Sequence, residues 1–268
     1  MNDRWGKPPH PEKISVQHIT VPGFVATVIT AEPEIINPVF LLPDPLTLKH
    51  SSKGNGRKVH SLHKDSLVIL KRDQISHVIA ENYSYKTDSY YTILQMETEG
   101  ISVQPSTEGV IDAFVVPICL ERAKRAGIPV CEWEISQGYV PLPAIIYGLN
   151  YFATTADFVV VYDNEAAKKA VGHITNKGKY PFCYQKLKDN AEICQCTAIF
   201  GKTLGRNDAV AHIAEKIYAL FSIPLLRMVW VKNGNDYALS SLSSARYSHL
   251  SEDERALLEA YISHQEFL

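Results

Sequence analysis

The chain has 268 residues, of which 46% are hydrophobic and 21% charged. This composition is typical of a globular protein and excludes bulk disorder, and the length suffices for a core without disulfides or metal. Twenty-seven basic and 29 acidic residues give a formal charge of −2. The overall basic excess by which duplex-binding proteins displace counterions is therefore missing, which argues against nucleic acid as a partner.

Basic residues are concentrated in one polar stretch, from Lys49 to Lys64, which also contains three histidines. A solvated loop and a local contact for phosphate or nucleic acid both fit this pattern. His60 and His63 have no cysteine or acidic partner at metal-ligand spacing, so we expect no metal there.

The cysteines and the termini indicate a protein of the cytoplasm. Five cysteines are an odd number, which does not predict a secreted disulfide framework, and Cys194 and Cys196 alternate along a strand as small core residues. No secretory signal begins the chain, and residues 1–13 predict a disordered lead-in. The uncharged stretch from Ile135 to Ala156 contains two prolines and two glycines, so we expect a buried segment and no membrane contact.

Hydrophobic periodicity predicts alternating strands and helices in the first half of the chain. A strand, a helix and a further strand between Ser76 and Val103 form a crossover unit if the two strands are parallel. The predicted elements are two short strands within residues 14–30, strands at 67–70, 76–80 and 101–103, and a helix capped by Asp88 and closed by Gly100.

The second half carries clearer signals for helix ends and turns. Pro117 suits a helix start, Asp163 an N-cap, Asn233-Gly234-Asn235 a hairpin turn, and Ser251 with Glu254 a capping box. Predicted strands lie at 128–135, 157–162, 180–187, 194–200, 225–232 and 237–242, and a further helix begins at Asn207 or Asp208.

The alternation predicts an α/β protein with a mixed, mostly parallel sheet flanked by helices and an antiparallel hairpin near the C-terminus. We expect residues 14–268 to form a single elaborated domain, in which residues 107–195 are a candidate inserted subdomain.

Tyrosines are dense between Asn82 and Tyr91, where a predicted strand ends and a helix begins. Ligands of open α/β sheets bind at this kind of position, and the helix N-terminus offers free N–H groups. Asn82, Tyr83, Tyr85 and Ser89 are therefore candidate contacts for an anionic or polar ligand. The alternative is that Tyr90 and Tyr91 are core residues and that Tyr83 and Tyr85 pack a loop.

Common nucleotide and esterase motifs are missing from the sequence. Gly201-Lys202-Thr203 matches the end of a P-loop, but Cys196 stands where the first glycine is required. Neither a Gly-x-Gly-x-x-Gly nor a Gly-x-Ser-x-Gly pattern occurs.

Two blocks resemble the domain found N-terminal to RimK-type ATP-grasp ligases. The first runs from Val78 to Ser106, and the second begins at Phe200-Gly201-Lys202-Thr203 and continues to Ser251. The resemblance implies a stand-alone relative without the ATP-grasp core. Residues 157–187 are faintly similar to an ATP-grasp lobe, which implies that Lys186 contacts a ligand.

Three functions remain open from the sequence. The first is an accessory or substrate-binding domain that acts with a separate ATP-grasp ligase on a small-molecule or peptide substrate, without cofactor or metal. The second is a diverged amino acid or peptide ligase with ATP-magnesium as its cofactor, whose site uses Tyr83 and Tyr85 of the tyrosine-rich loop, Arg227 and the segment from Ile135 to Ala156. The third is a structural or interaction subunit. Arg227, on a predicted strand, fits ligand contact or a buried ion pair equally well.

Overall fold

A computed structural model describes the backbone of two N-terminal strands, residues 13–21 and 24–32, together with residues 67–150, 158–205 and 208–263. The N-terminal sheet contains β1 (Lys13–Val21), β2 (Phe24–Glu32), β3 (Leu67–Arg72), β4 (Ile75–Ala80) and β5 (Val103–Gln104), in that order. Helix α1 (Asp88–Thr98) connects β4 to β5, which pair in parallel, so the predicted crossover unit is confirmed.

Two helices and a second sheet follow. Helices α2 (Thr107–Phe114) and α3 (Val116–Arg125) precede β6 (Glu134–Ser136), β7 (Ala144–Gly148) and β8 (Val159–Val161); then come α4 (Asn164–Ile174) and β9 (Phe182–Lys186). The four strands form the middle sheet in the order β6-β9-β7-β8. Helix α4 packs its alanines and Ile174 against one face of this sheet.

The C-terminal sheet contains β10 (Glu192–Ile199), β11 (Leu225–Asn233) and β12 (Asp236–Ser244). Helix α5 (Asp208–Phe221) connects β10 to β11, and a short 3₁₀ turn (Tyr247–His249) leads into α6 (Glu252–Ile262). The predicted hairpin between β11 and β12 is confirmed, and Gly234 in its turn has a φ of 63°. None of the described helices is long and apolar enough to cross a membrane.

The α/β class is confirmed, but the prediction of a mostly parallel sheet is wrong. Among the described strands, only β4 and β5 form a parallel ladder, and the other neighbours in all three sheets are antiparallel. Alternation of strands and helices misled the prediction because β9, which follows α4, pairs with β7 instead of β8. Hydrophobic periodicity predicts where a strand lies but not which other strand it pairs with.

Most predicted helix signals are confirmed. The Asp163 side chain accepts a hydrogen bond from the backbone of Ala166, and Ser251 and Glu254 form the capping box. Asp88 lies in the first turn of α1, and Thr87 occupies the N-cap position instead. The predicted strand at 128–135 shortens to β6 and one bridge at Val130.

Several predictions concern residues outside the described ranges or remain open. Residues 1–12 of the expected lead-in, the stretch 49–64 and Asn207 lie outside the described residues, whereas Lys13 is the first residue of β1. The inserted subdomain at 107–195 stays a prediction.

Strands buried on both faces hold the fold together. The main core cluster receives residues from all three sheets and from α1, α2, α3 and α5, and Trp230 is one of its largest fully buried side chains. A second cluster packs the other face of β3 and β4 against α6. Cys194 and Cys196 lie on the main-core side, as predicted, and the Trp230 indole nitrogen donates to Cys196 Sγ at 3.2 Å.

A buried polar network joins the middle sheet to the C-terminal sheet. The Tyr147 hydroxyl lies 2.6 Å from Ser240 Oγ, which donates to Gln185 Oε1 at 2.6 Å. The Gln185 amide nitrogen in turn donates to the Ser240 carbonyl at 2.7 Å. Ser240 can face this network because β12 has a bulge there: Val229 pairs with Ser241, and Trp230 pairs with Leu239.

We predict that Ser240→Ala destabilises the protein, because it leaves the Tyr147 hydroxyl and the Gln185 oxygen buried without their partner. Each group left unpartnered costs about 1–3 kcal/mol of unfolding free energy. Urea denaturation measures the loss, and Ser102→Ala, an exposed serine, serves as the control with a change within about 0.5 kcal/mol. Equal stability of the two variants would contradict the claim that these buried hydrogen bonds stabilise the protein.

Candidate functional site

The tyrosine-rich turn between β4 and α1 is built around one buried side chain. Tyr83 is fully buried, and its hydroxyl accepts a hydrogen bond from the Ala80 backbone N–H at 3.0 Å and donates to the Val78 carbonyl at 3.1 Å. Burial raises the pKa of Tyr83 far above its ordinary value, so the hydroxyl stays protonated. These contacts give Tyr83 a structural role in turning the chain out of the sheet.

The other polar groups of the turn bond mainly to its own backbone. Asn82 Oδ1 accepts from the Ser84 N–H at 2.9 Å, which is an Asx turn. The Ser89 hydroxyl donates to the Asn82 carbonyl, and the Thr87 hydroxyl donates to the Ser84 carbonyl at 2.7 Å. Asn82 also lies 3.4 Å from the hydroxyl of Ser244 at the end of β12. The turn is therefore held by local bonds, and its ligand-binding role stays a prediction.

The remaining aromatic rings of this stretch divide between surface and core. Tyr85 is exposed, with the Lys86 ammonium 5.5 Å from its ring centre. Tyr91 is also exposed, whereas Tyr90 packs against the main core cluster. The prediction of a core position is therefore right for Tyr90 and wrong for Tyr91. Tyr83, expected to pack a loop, is a fully buried member of the main core cluster.

The last two predicted contacts lie on other strands. Lys186 is exposed at the end of β9, opposite Ala144 of β7. Arg227 is half-buried in β11, between Thr197 and Ser243 on the neighbouring strands. The structure therefore gathers Asn82, Tyr83, Tyr85 and Ser89 in one turn and places Lys186 and Arg227 in two different sheets.

A cavity of about 360 Å³ opens elsewhere, between two tight turns and two helices. We call it the hairpin cavity. The β3–β4 hairpin forms one wall, the turn after β10 forms another, and α5 and α6 each contribute a tyrosine. Its lining residues are Arg72, Asp73, Ile75, His77, Phe200, Lys202, Tyr218 and Tyr261.

The turn after β10 has an unusual backbone. Phe200 and Gly201 both lie in the left-handed region, with φ of 48° and 78°, and Ile199 and Lys202 exchange two backbone hydrogen bonds of 2.9 Å across them. A bulky residue rarely adopts this conformation. A Cβ at position 201 would lie 2.8 Å from the Cβ of Tyr218, so only glycine lets the turn pass this close to α5.

The Phe200 ring is the centre of an aromatic cluster in the cavity wall. It stacks on Tyr261 with ring centres 4.5 Å apart and an interplanar angle of 18°. It meets Tyr218 and His77 edge to face, each at 5.8 Å. The strained turn therefore places one ring where it joins the β3–β4 hairpin, α5 and α6.

His77 is a buried polar side chain with unused bonding capacity. Its Nδ1 atom is buried and has no hydrogen-bond partner among the described residues, and the same holds for the Thr203 hydroxyl just after the turn. Burial lowers the pKa of His77, the Arg72 charge lowers it further, and Asp73 partly opposes both effects. The imidazole is therefore neutral at neutral pH and can make a hydrogen bond without carrying charge.

Sequence reasoning noticed this turn without recognising a site there. Phe200-Gly201-Lys202-Thr203 begins the second resemblance block and matches only the end of a P-loop. His77, Tyr218 and Tyr261 gave no signal, because each occupies an ordinary position in a strand or helix. Their meeting point depends on packing between distant segments.

A family model described as "RimK-like ATPgrasp N-terminal domain" matches residues 161–261. The second resemblance block lies within this match, and its resemblance is confirmed. The first block, residues 78–106, lies outside the match. The absence of an ATP-grasp core stays a prediction, and so do the cytoplasmic location and the partner ligase.

Solved structures of ATP-grasp ligases are similar to part of the chain. D-alanine-D-alanine ligase from Helicobacter pylori has a TM-score of 0.49 and 13% identity, over 64% of this chain and 65% of that one. The RimK domain protein ATP-grasp from Sphaerobacter thermophilus has a TM-score of 0.48 and 14% identity, over 64% and 73%. D-alanine-D-alanine ligase from Coxiella burnetii has a TM-score of 0.49 and 9% identity, over 74% of this chain and 71% of that one.

The matched region thus spans slightly less than two thirds of the Helicobacter pylori ligase. A comparison with curated proteins found no match.

We predict that Tyr83→Phe lowers the free energy of unfolding by about 1–3 kcal/mol, because the buried Ala80 N–H and Val78 carbonyl both lose the hydroxyl. Tyr91→Phe, at a ring that is 58% exposed, should change it by no more than about 0.5 kcal/mol. Thermal and urea unfolding measure both variants. An unchanged midpoint for Tyr83→Phe would remove the structural role given to its hydroxyl.

Proposed function

We propose that the chain is a ligand-binding accessory domain that works with an ATP-grasp ligase. One observation carries the proposal: four of the eight residues that line the hairpin cavity belong to the segment similar to the RimK-like N-terminal domain. These four are Phe200, Lys202, Tyr218 and Tyr261.

The chemistry of the cavity supports binding as its task. Arg72 and Lys202 supply positive charge, His77 and Tyr218 supply polar hydrogen-bonding groups, and Phe200 supplies an apolar wall. A concave, partly apolar surface with a few convergent polar groups is typical of small-molecule sites, and a volume of about 360 Å³ lies within their usual range. The site would hold a substrate or an effector and present it to the partner that consumes ATP.

Two other functions remain as outcomes of the test. A diverged ligase that uses the tyrosine-rich turn and Arg227 would consume ATP-magnesium without a partner. A structural subunit would bind a ligase without changing its rate, and the exposed rings of Tyr139 and Tyr162 on the middle-sheet side would suit such a contact.

We predict that the purified chain releases no ADP above the blank with ATP-magnesium, and that it raises ligation by an ATP-grasp ligase from the same genome. At substrate concentrations below the KM of the ligase, we expect about a fivefold increase or more, the range of typical coupling between sites. A coupled ADP assay and product detection measure the two rates.

Matched lysine variants connect this effect to the cavity. Lys202→Ala should remove most of the stimulation, whereas Lys168→Ala, an exposed lysine on α4, should preserve it. ADP release by the chain alone would favour the diverged ligase. Stable binding to the ligase without any change in rate would favour the structural subunit.

A further inference from the structure

We propose that the hairpin cavity binds a small oxyanion, a carboxylate or a phosphate, that is attached to a planar ring. This inference deepens the proposed function by naming the ligand class, and it rests on that function only in treating the cavity as a binding site. Its support comes from the charge, the hydrogen-bonding groups and the rings of the cavity wall.

The charge of the cavity favours an anion. Among the described lining residues the permanent cations are Arg72 and Lys202. The carboxylate among them is Asp73, which lies 3.3 Å from the Arg72 guanidinium with its own side chain 80% exposed. Lys202 makes no ion pair within the described ranges. Among these described residues Asp73 offsets the charge of Arg72, and Lys202 leaves a positive charge that attracts an anion.

Neutral hydrogen-bonding groups accompany the cations. Burial raises the pKa of Tyr218 to about 12, with a further increase from Tyr261 and a decrease from Arg72, so its hydroxyl remains a donor. The neutral His77 ring can donate through one nitrogen, and its buried Nδ1 lacks a partner among the described residues. Oxygen atoms of a carboxylate or phosphate accept from such groups, and charge-assisted bonds of this kind are strong.

The rings of the wall favour a planar body over a compact inorganic anion. Phe200, Tyr218 and Tyr261 all line the cavity and hold one another in stacked and edge-to-face contacts. Aromatic pairs of this kind prefer offset or T-shaped arrangements that a flat ligand ring can join. Because the cluster is packed in advance, little side-chain freedom is lost when the ligand enters.

The strained turn is consistent with a selected geometry. A bulky residue at a φ of 48° costs free energy, and such strain is found mostly where function requires one side-chain position. At Phe200 the strained backbone directs the ring into the cavity wall between His77 and Tyr261. A hairpin turn built for stability alone would carry glycine or asparagine there.

Isothermal titration calorimetry of the full chain with five probes tests the inference. Phenyl phosphate and benzoate combine a ring with an oxyanion, inorganic phosphate and acetate lack the ring, and benzyl alcohol lacks the charge. We expect at least one ring-bearing anion to bind about tenfold or more tightly than each of the three incomplete probes. The order of phenyl phosphate and benzoate identifies which oxyanion the cavity prefers.

Three variants locate the binding. Lys202→Ala should weaken the preferred probe by about tenfold or more, because a charged contact is lost, and Lys168→Ala should leave its affinity unchanged. Tyr218→Phe keeps the ring and removes the hydroxyl, so it should weaken binding by about threefold to tenfold without disturbing the fold. Circular dichroism and the thermal midpoint verify that each variant is folded.

Several results would overturn the inference. If acetate or inorganic phosphate binds as tightly as the ring-bearing anions, binding depends on charge alone. If benzyl alcohol binds as tightly as they do, the site is an apolar pocket without preference for an anion. No heat with any probe at millimolar concentration would exclude the ligand class. If a ring-bearing anion binds in the cavity but the chain does not stimulate the ligase, this inference stands and the proposed function is rejected. The failure of one can therefore be distinguished from the failure of the other.

Discussion

The close approach of the Gly201 backbone to helix α5 is the constraint on which the hairpin cavity depends. A Cβ at this position would meet the Cβ of Tyr218 at 2.8 Å, so any other residue would push the turn and the helix apart. The same turn is joined to the connection between α5 and β11 by a 2.7 Å hydrogen bond from the Phe200 N–H to the Pro224 carbonyl. These two contacts fix the backbone of Phe200. Its ring therefore lies in contact with the rings of His77, Tyr218 and Tyr261.

That arrangement unites parts of the chain that are far apart in sequence. The β3–β4 hairpin belongs to the N-terminal sheet, the Phe200 turn follows a strand of the C-terminal sheet, and Tyr261 comes from the last helix. The second hydrophobic cluster lies behind all of them, with Leu70 and Leu258 among its buried members. The cavity is thus supported by packed side chains on several elements, which is the arrangement that keeps a binding site rigid.

Local signals in the sequence predicted local structure well. The Asn233-Gly234-Asn235 turn, the Asp163 cap and the Ser251–Glu254 box depend on residues only a few positions apart, and all three are present. Pairing between distant strands was predicted poorly. The order β8, α4, β9 predicts a parallel pair of β8 and β9, whereas β9 pairs with β7 in antiparallel orientation. The same limit applies to the site: the tyrosine-rich turn is a local cluster and was noticed, whereas His77 and Tyr261 are 184 positions apart and meet only through the folded core.

A crystal structure of the protein with phenyl phosphate tests the central claim most directly. We predict phosphate oxygens within about 3 Å of the Lys202 ammonium and a phenyl ring packed against the Phe200 cluster. Density for the phosphate at the Asn82–Ser89 turn, with the hairpin cavity filled only by water, would contradict it. That result would return the binding function to the tyrosine-rich turn and leave the strained Phe200 backbone as a feature of folding alone.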